Sequence, residues 1–570
     1  MPKRYSWIIG LLLAAGSAAA QAQTTPLHPA QTIALGPHAT MGGTVVLPNH
    51  NTVLLLSDGE SPAIVVQCLA PDGHTLWQTT ATRFGHAVYG SGYLFDTRQI
   101  AIGQEARANK QLQKDKTAAS LYPVSVHTDG NNVVLAERIS EEVAKDAAKS
   151  GATNLAEGQV YVQRLDAEGV LTKHLFEPRP APADKKTIDN AMAGYADANG
   201  YVEVVREKNK DAGTVAFCTI HYDLKTNTLR REKLELPATP EPPGRTSSFR
   251  VWNQEWAYLG HYASRTYFCR RTLVNAPDEK PGRQPITYQV YLVDDQGAPA
   301  PGGFRTTLDL EPGTIPAYAG RIPSYGELAH IPHRYTVKVG QDYVNYDEWE
   351  TSSGGIGSFY LDRATGDVLI FGEYAKGDLP ESDPRPYLKG FFERRYAADG
   401  RLVAQLQTPY TDEMRDRTTL PAFRGYYYRR PRFHYDPYTG HSQYGFDPQR
   451  GLDGTGHDDF DLFLDRDLKL ERYEILSGKG KDKEGRIYTS VWFTEPFWVY
   501  KMGGSAADVR NYEHAAPTDL PIYAALEKLR RAAGTDMPDY KFYLSPTGPN
   551  TGLVVEQPLG VGGALKVYTF

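Results

Sequence analysis

The chain has 570 residues, with 62 Lys and Arg against 68 Asp and Glu and a formal net charge of −6. That mild acidity argues against a nucleic-acid partner, since holding phosphates takes a basic face. Three cysteines in so long a chain exclude a disulfide scaffold.

Residues 1–22 read as a cleaved secretory signal. Lys3 and Arg4 open the chain, an apolar run follows from Trp7 to Ala15, and small residues end in Ala20, Gln21 and Ala22. Charged start, short apolar core and A-x-A site form the secretory pattern, and the core is shorter than the roughly 20 residues that a membrane span needs. An uncleaved membrane anchor is the alternative reading. Cleavage leaves 548 residues and, with Lys3 and Arg4 gone, a formal charge of −8. No cysteine follows the cleavage site closely, which argues against a lipidated N-terminus. No later apolar stretch reaches spanning length, so the mature chain is expected to be soluble and exported, to the periplasm or medium of a bacterium.

A loose repeat dominates the remainder: an apolar, β-branched strand, a turn rich in Asp, Gly or Asn, and a second strand. It appears at Asp72 and Gly73, Gly169, Asn227, Gly297, Gly400 and Asp467, with spacings of 96, 58, 70, 103 and 67 residues. Such turns need φ > 0, which glycine adopts at least cost. Further hairpins surround Gly130 and Gly200, and the last unit joins residues around 541–558 to the C-terminal GALKVYTF. The pattern predicts an all-β, propeller-like fold of four-stranded units over residues 23–570. Seven units fit best, six or eight are nearly as good, and tandem β-sandwich domains are the alternative. The two long spacings leave room for insertions or an extra unit.

Helices are expected as insertions near 103–116, 140–150 and 521–533. In the second, Ser140 caps a run with Glu141 and Glu142 in its first turn and Gly151 beyond its end. In the third, Ile522, Leu526 and Leu529 form an apolar stripe closed by Gly534. Cys68, Cys218 and Cys269 sit in strand-like runs and read as buried small hydrophobes, with a Cys218–Cys269 bridge as the alternative. Residues 70–77, APDGHTLW, resemble the turn-and-tryptophan units of quinoprotein-like propellers and, more distantly, the Asp-box of sialidases. In the latter, Gly73 stands one place too early. The likeness spans eight residues, so no functional residue is carried over, and Trp77 reads as packing between sheets.

P-loop, HExxH, GxSxG and dinucleotide-binding glycine motifs are absent. The densest chemistry lies at 424–467. Tyr426, Tyr428, Tyr435 and Tyr438 stand among Arg430, Arg432 and His434, aromatic faces and forked donors suited to sugar rings. The competing reading packs these rings between sheets or against the arginines. Asp453, Asp458, Asp459 and Asp461 crowd a glycine-containing loop that offers oxygens to a hard cation such as Ca²⁺, although the spacing is not that of an EF-hand. His330 and His333 make a weaker metal pair, and Asp347, Glu348 and Glu350 a weaker carboxylate set for glycoside hydrolysis. Three functions remain. A non-catalytic envelope or extracellular protein binding a glycan or a protein comes first. A carbohydrate-active hydrolase or lyase and a structural part of an envelope assembly are the alternatives.

Overall fold

A computed structural model describes residues 28–37, 39–58, 62–84, 95–96, 124–150, 155–182, 184–209, 215–237, 256–273, 286–307, 314–316, 333–339, 342–348, 359–362, 365–376, 388–411, 431–435, 440–446, 459–476, 491–494, 497–502, 540–548, 551–558 and 562–569. The secretory signal and the helices expected near 103–116 and 521–533 fall outside these residues.

Strand β1 (Gln31–Ala34) stands apart from its neighbours in sequence. Sheet 1 is β2 (Ala39–Val46), β3 (Thr52–Asp58), β4 (Ala63–Leu69) and β5 (Thr75–Thr82). Sheet 2 holds β6 (Phe95–Asp96), β7 (Val124–Asp129), β8 (Asn132–Arg138), β9 (Val160–Leu165) and β10 (Leu171–Phe176), with helix α1 (Glu141–Ser150) between β8 and β9. Sheet 3 is β11 (Thr187–Asp197), β12 (Gly200–Asn209), β13 (Val215–Asp223) and β14 (Thr228–Lys233). Sheet 4 is β15 (Ala257–Tyr262), β16 (Arg265–Leu273), β17 (Ile286–Asp294) and β18 (Pro299–Thr307).

The pattern breaks after sheet 4. Strand β19 (Thr314–Pro316) is followed by a separate hairpin, β20 (His333–Val339) and β21 (Asp342–Glu348), and then by β22 (Phe359–Leu361). Both β19 and β22 pair with β23 (Val368–Lys376), one at each end, so sheet 5 has its first strand in two pieces. Strands β24 (Leu388–Tyr396) and β25 (Leu402–Pro409) complete that sheet. Sheet 6 is β26 (Pro431–Tyr435), β27 (Ser442–Phe446), β28 (Asp459–Leu464) and β29 (Leu470–Leu476). Sheet 7 runs from β30 (Val491–Thr494) through β31 (Phe497–Met502), β32 (Tyr540–Gly548) and β33 (Thr551–Pro558) to β34 (Ala564–Thr569), and then takes in β1.

Packing joins these sheets face to face in the order 7, 1, 2, 3, 4, 5, 6. Val45, Leu55 and Val66 of sheet 1 share a core with Val126 and Leu135 of sheet 2. Val134 and Val162 meet Val205 and Ile220 of sheet 3, whose Val204 and Phe217 meet Tyr258 and Phe268 of sheet 4. Leu259 and Tyr288 pack on Phe359 and Phe392 of sheet 5, and Phe391 on Leu462 and Leu464 of sheet 6. Leu553 and Val567 of sheet 7 close on Met41 and Leu54 of sheet 1. The fold is all-β and propeller-like. Inner strands buried on both faces read as near-continuous apolar runs, as in AIVVQCL of β4. Outer strands with one solvated face alternate, as in β5 and β18.

All six repeat turns found in the sequence join the third strand of a sheet to its outermost strand. Sheet 7 has no such turn, because its third strand is the C-terminal β34 and its outermost strand is the N-terminal β1. Gln31 lies opposite Val567 and Ala34 opposite Ala564. Among the described residues, the long turn spacings hold β6 and α1 in one and the β20–β21 hairpin in the other, with no further four-stranded sheet. Helix α1 begins as expected, with the Val143 N–H donating to Ser140 Oγ at 3.2 Å.

Each described outer turn leans on the sheet before it. A Cβ on Gly73 would meet Ala30 Cβ at 3.2 Å, and one on Gly400 would meet Gly302 O at 2.8 Å. Gly169 lies under Trp77, whose Nε1 donates to Ala167 O at 2.9 Å. Trp77 is thus the inter-sheet packing residue that the sequence indicated. Cys68, Cys218 and Cys269 are buried thiols, each in a different inter-sheet core, which rules out a Cys218–Cys269 bridge. Burial pushes the Cys68 and Cys218 thiols up to about 12.

Gly169→Ala is expected to cost about 2–3 kcal/mol, since its Cβ would meet Trp77 Cδ2 at 2.6 Å and its φ is +80°. Gly130→Ala, at φ +54° with open space around it, is expected to cost only about 1 kcal/mol. Urea midpoints of the two variants separate contact from backbone strain.

Candidate functional site

The longest connections between strands gather on one of the two rims of the propeller-like fold. First-to-second and third-to-fourth strand turns lie on one rim, and none exceeds the six residues of 362–367 or 436–441. The other rim takes the second-to-third connections and the links between sheets, among them 139–159, 234–256, 410–430 and 447–458.

The short-turn rim satisfies its own polar groups. Asp166 Oδ1 accepts from the N–H groups of Glu168 and Val170, and Asp294 Oδ1 from those of Gln296 and Ala298. A second device recurs two residues before these turns. Arg164 donates to Asp129 Oδ2 at 3.2 Å and to Ala198 O of the next sheet. Arg395 donates to Asp367 Oδ2 at 3.0 Å and to Arg466 O of the next sheet at 3.0 Å. His221 takes the same place in sheet 3, 3.6 Å from Asp197 Oδ2, with Thr219 Oγ1 at 3.0 Å from its other nitrogen.

Between sheets 3 and 4 this rim gathers a cluster that sequence reasoning missed. The His261 ring stacks on Tyr195 at 3.9 Å and 8°, and its Nε2 lies 3.3 Å from Asp295 Oδ1. The His261 hydrogen bond holds the Asp295 carboxyl below its usual range. Burial works to raise Asp197, but His221 and the N–H groups of Asn199 and Gly200 outweigh it, and Asp197 too is lowered. These imidazoles are engaged in fastening turns. For His221 the available signal was a His two residues from a turn Asp in a strand otherwise apolar, CTIHYD; His261 has no such neighbour.

On the long-connection rim, a charged network pins the link from sheet 2 to sheet 3. Glu203, 1% exposed, accepts from Arg138, from Arg179 at 3.3 Å and from Tyr222 Oη at 3.1 Å. Arg179 also donates to Asp189 Oδ2 at 2.9 Å, and Arg231 to Glu207 and to Pro180 O. Nearby in sheet 4, the Arg270 guanidinium lies 4.0 Å over Trp256.

The sequence-predicted ligand residues divide. Arg432, His434 and Tyr435 lie on β26, the first strand of sheet 6, with Arg432 opposite Gly445 and His434 opposite Gln443. Tyr426, Tyr428, Arg430 and Tyr438 fall outside the described residues. Of the acidic loop, Asp459 and Asp461 begin β28, Asp461 opposite Glu474, while Asp453 and Asp458 fall outside. The strand ends bracketing 412–430, between sheets 5 and 6, and 447–458, within sheet 6, open on the same rim. Among the described residues no group of three or more His, Cys, Asp or Glu is placed to hold a metal ion. The weaker carboxylate set lies on the separate hairpin, Glu348 opposite His333 and Asp347 opposite Arg334. His330 and Glu350 fall outside.

No protein-family model matches this chain, and no curated protein matches it in sequence. Among solved structures, prolyl oligopeptidase B from Galerina marginata is similar at 7% identity and a TM-score of 0.29, over 82% of this chain and 45% of that one. The chain therefore spans less than half of that enzyme's length. The endo-arabinase from Bacteroides thetaiotaomicron matches at 11% identity and a TM-score of 0.21, over 65% of this chain and 97% of that one. The WD40 domain of SCAP from fission yeast matches at 9% identity and 0.23, over 96% and 98%. At these values the likenesses carry no argument about activity. The chain's own sheets define its class, an all-β propeller-like protein.

One buried acid gives this region a pH signature. Glu393, fully buried between sheets 5 and 6, accepts from Ser442 Oγ at 3.1 Å, and burial pushes its carboxyl up to about 8. The folded chain therefore keeps a proton that the unfolded chain gives up near its ordinary value of 4.5. Its stabilising effect is complete below that value and is lost as pH rises through about 8, at up to about 1.4 kcal/mol per pH unit. Glu393→Gln is expected to flatten this slope. The difference in melting temperature between variant and parent should widen in the variant's favour from pH 5 to 8, as scanning calorimetry reads.

Proposed function

We propose that this chain is an exported, non-catalytic propeller-like protein that binds a glycan on its long-connection rim, at sheet 6. The observation that carries the reading is the separation of connections: one rim is spent on tight, internally satisfied turns, and the other presents the long segments. Connecting segments are where binding residues concentrate on a rigid scaffold. The sequence supplies the matching chemistry at one place on that rim, the Tyr and Arg run entering β26. Tyrosine faces pack on sugar CH groups while guanidinium forks reach hydroxyls or carboxylates. Export rests on the charged, apolar and small-residue order of residues 1–22.

A thermal-shift screen of the mature protein against neutral and acidic glycans tests the reading. A ligand at about 100 times its Kd is expected to add about 2.7 kcal/mol of stability. A Tyr428→Ala, Arg432→Ala double variant is expected to keep the parent melting temperature and lose most of that shift. Release of reducing ends from any glycan would replace the reading with a hydrolase. Binding of a protein partner, with no glycan shifting the melt, would replace it with a protein-interaction role. EDTA is expected to leave the melting temperature unchanged; a fall of several degrees restored by Ca²⁺ would place a cation in the Asp453–Asp461 loop.

A further inference from the structure

Strand pairing on the inner edges of the sheets carries an inference independent of the glycan reading. Among the described residues, the first strand of sheets 1, 3 and 4 is the innermost and pairs on one side only. Two sheets continue past that edge. In sheet 2, β6 pairs in parallel on the axial side of β7, Phe95 opposite Val124 and Asp96 opposite Ser125. In sheet 7, β31 pairs on the axial side of β32, Trp498 opposite Leu544 and Met502 opposite Tyr540, and β30 pairs beyond β31.

We propose that the hairpin β30–β31 is a plug, filling the axial channel of the ring from the long-connection rim down to mid-depth and leaving no open passage. Depth follows from register. Strand β32 runs from the long-connection rim towards the short-turn rim, so Met502, opposite its first residue Tyr540, stands near the former. Trp498, opposite Leu544, stands midway. The Thr494 and Phe497 end of the strand pair therefore lies deepest.

Width follows from strand and sheet spacing. A seven-sheet propeller with its sheets spaced at about 10 Å has its inner strands on a ring of roughly 11 Å radius. Two extra strands at about 4.8 Å each carry β30 roughly 10 Å inward from β32, which brings it to the axis. Strand β2, the innermost of sheet 1, comes within 8 Å of both β31 and β32, Cα to Cα, so the hairpin is flanked and does not splay outward. Its sequence, VWFTEPFWVYKM, carries Trp492, Phe493, Phe497, Trp498 and Tyr500, a composition suited to a water-poor space. With the channel filled by the chain itself, a ligand is received at a rim and does not pass through.

Cysteine chemistry on the full mature chain tests this, since the three native thiols are buried. Phe493→Cys is placed on β30 and Ala257→Cys on β15, in a sheet on the far side of the ring. A bis-maleimide that reaches half the ring's width is expected to join the two in the folded protein. Phe493→Cys alone is expected to react with N-ethylmaleimide roughly tenfold or more slowly than in urea. Reaction at the free-thiol rate, with no cross-link, would place the hairpin outside the channel and overturn the proposal. Should either variant fail to fold, hydrogen exchange on the unaltered protein decides. Protection of the 497–502 amides alongside those of 540–544 supports the plug, and exchange of 497–502 within seconds removes it.

Discussion

A sheet buried on both faces has no stable existence alone: each of its apolar faces needs a neighbour. Seven such sheets in a row satisfy every face but two, and those two meet only if the row closes. The contact of Leu553 and Val567 with Met41 and Leu54 brings the last sheet onto the first, and the strand pair of β1 with β34 ties the two chain segments with backbone hydrogen bonds. The ends of the chain thus share one sheet. The fold is completed by its last residues as much as by its first.

Closure also sorts the polar chemistry. Turns on one rim must let successive sheets approach, so they are short, built on aspartates that accept backbone N–H groups, and fastened to the next sheet by Arg164, Arg395 and their like. Glycine under Trp77 is part of the same economy of space. The opposite rim is free of that demand, and the long connections gather there. Some of them pair back onto the first strands of sheets 2 and 7, as β6 and the β30–β31 hairpin do.

Much of this was legible in the sequence. Six turn motifs marked six sheets, because a residue with φ > 0 between two alternating strands is a local requirement that glycine or asparagine meets visibly. Ser140 announced its helix for the same local reason. The buried cysteines announced themselves by apolar flanks, but only packing showed that Cys218 and Cys269 belong to different cores. The His221 and His261 cluster went unseen, because its partners Asp197 and Asp295 join it only when turns from distant segments reach one rim.

The sequence by itself determined the class of strand and turn and the number of four-stranded units within one. Tertiary structure alone decided that β1 belongs with β34, that the first strand of sheet 5 is made of two separated pieces, and that a late aromatic hairpin stands on the axial edge of sheet 7. The physical reason is range. Turn geometry and strand periodicity are set by neighbours a few residues away, whereas ring closure and axial filling depend on which bare edges remain once seven sheets have packed.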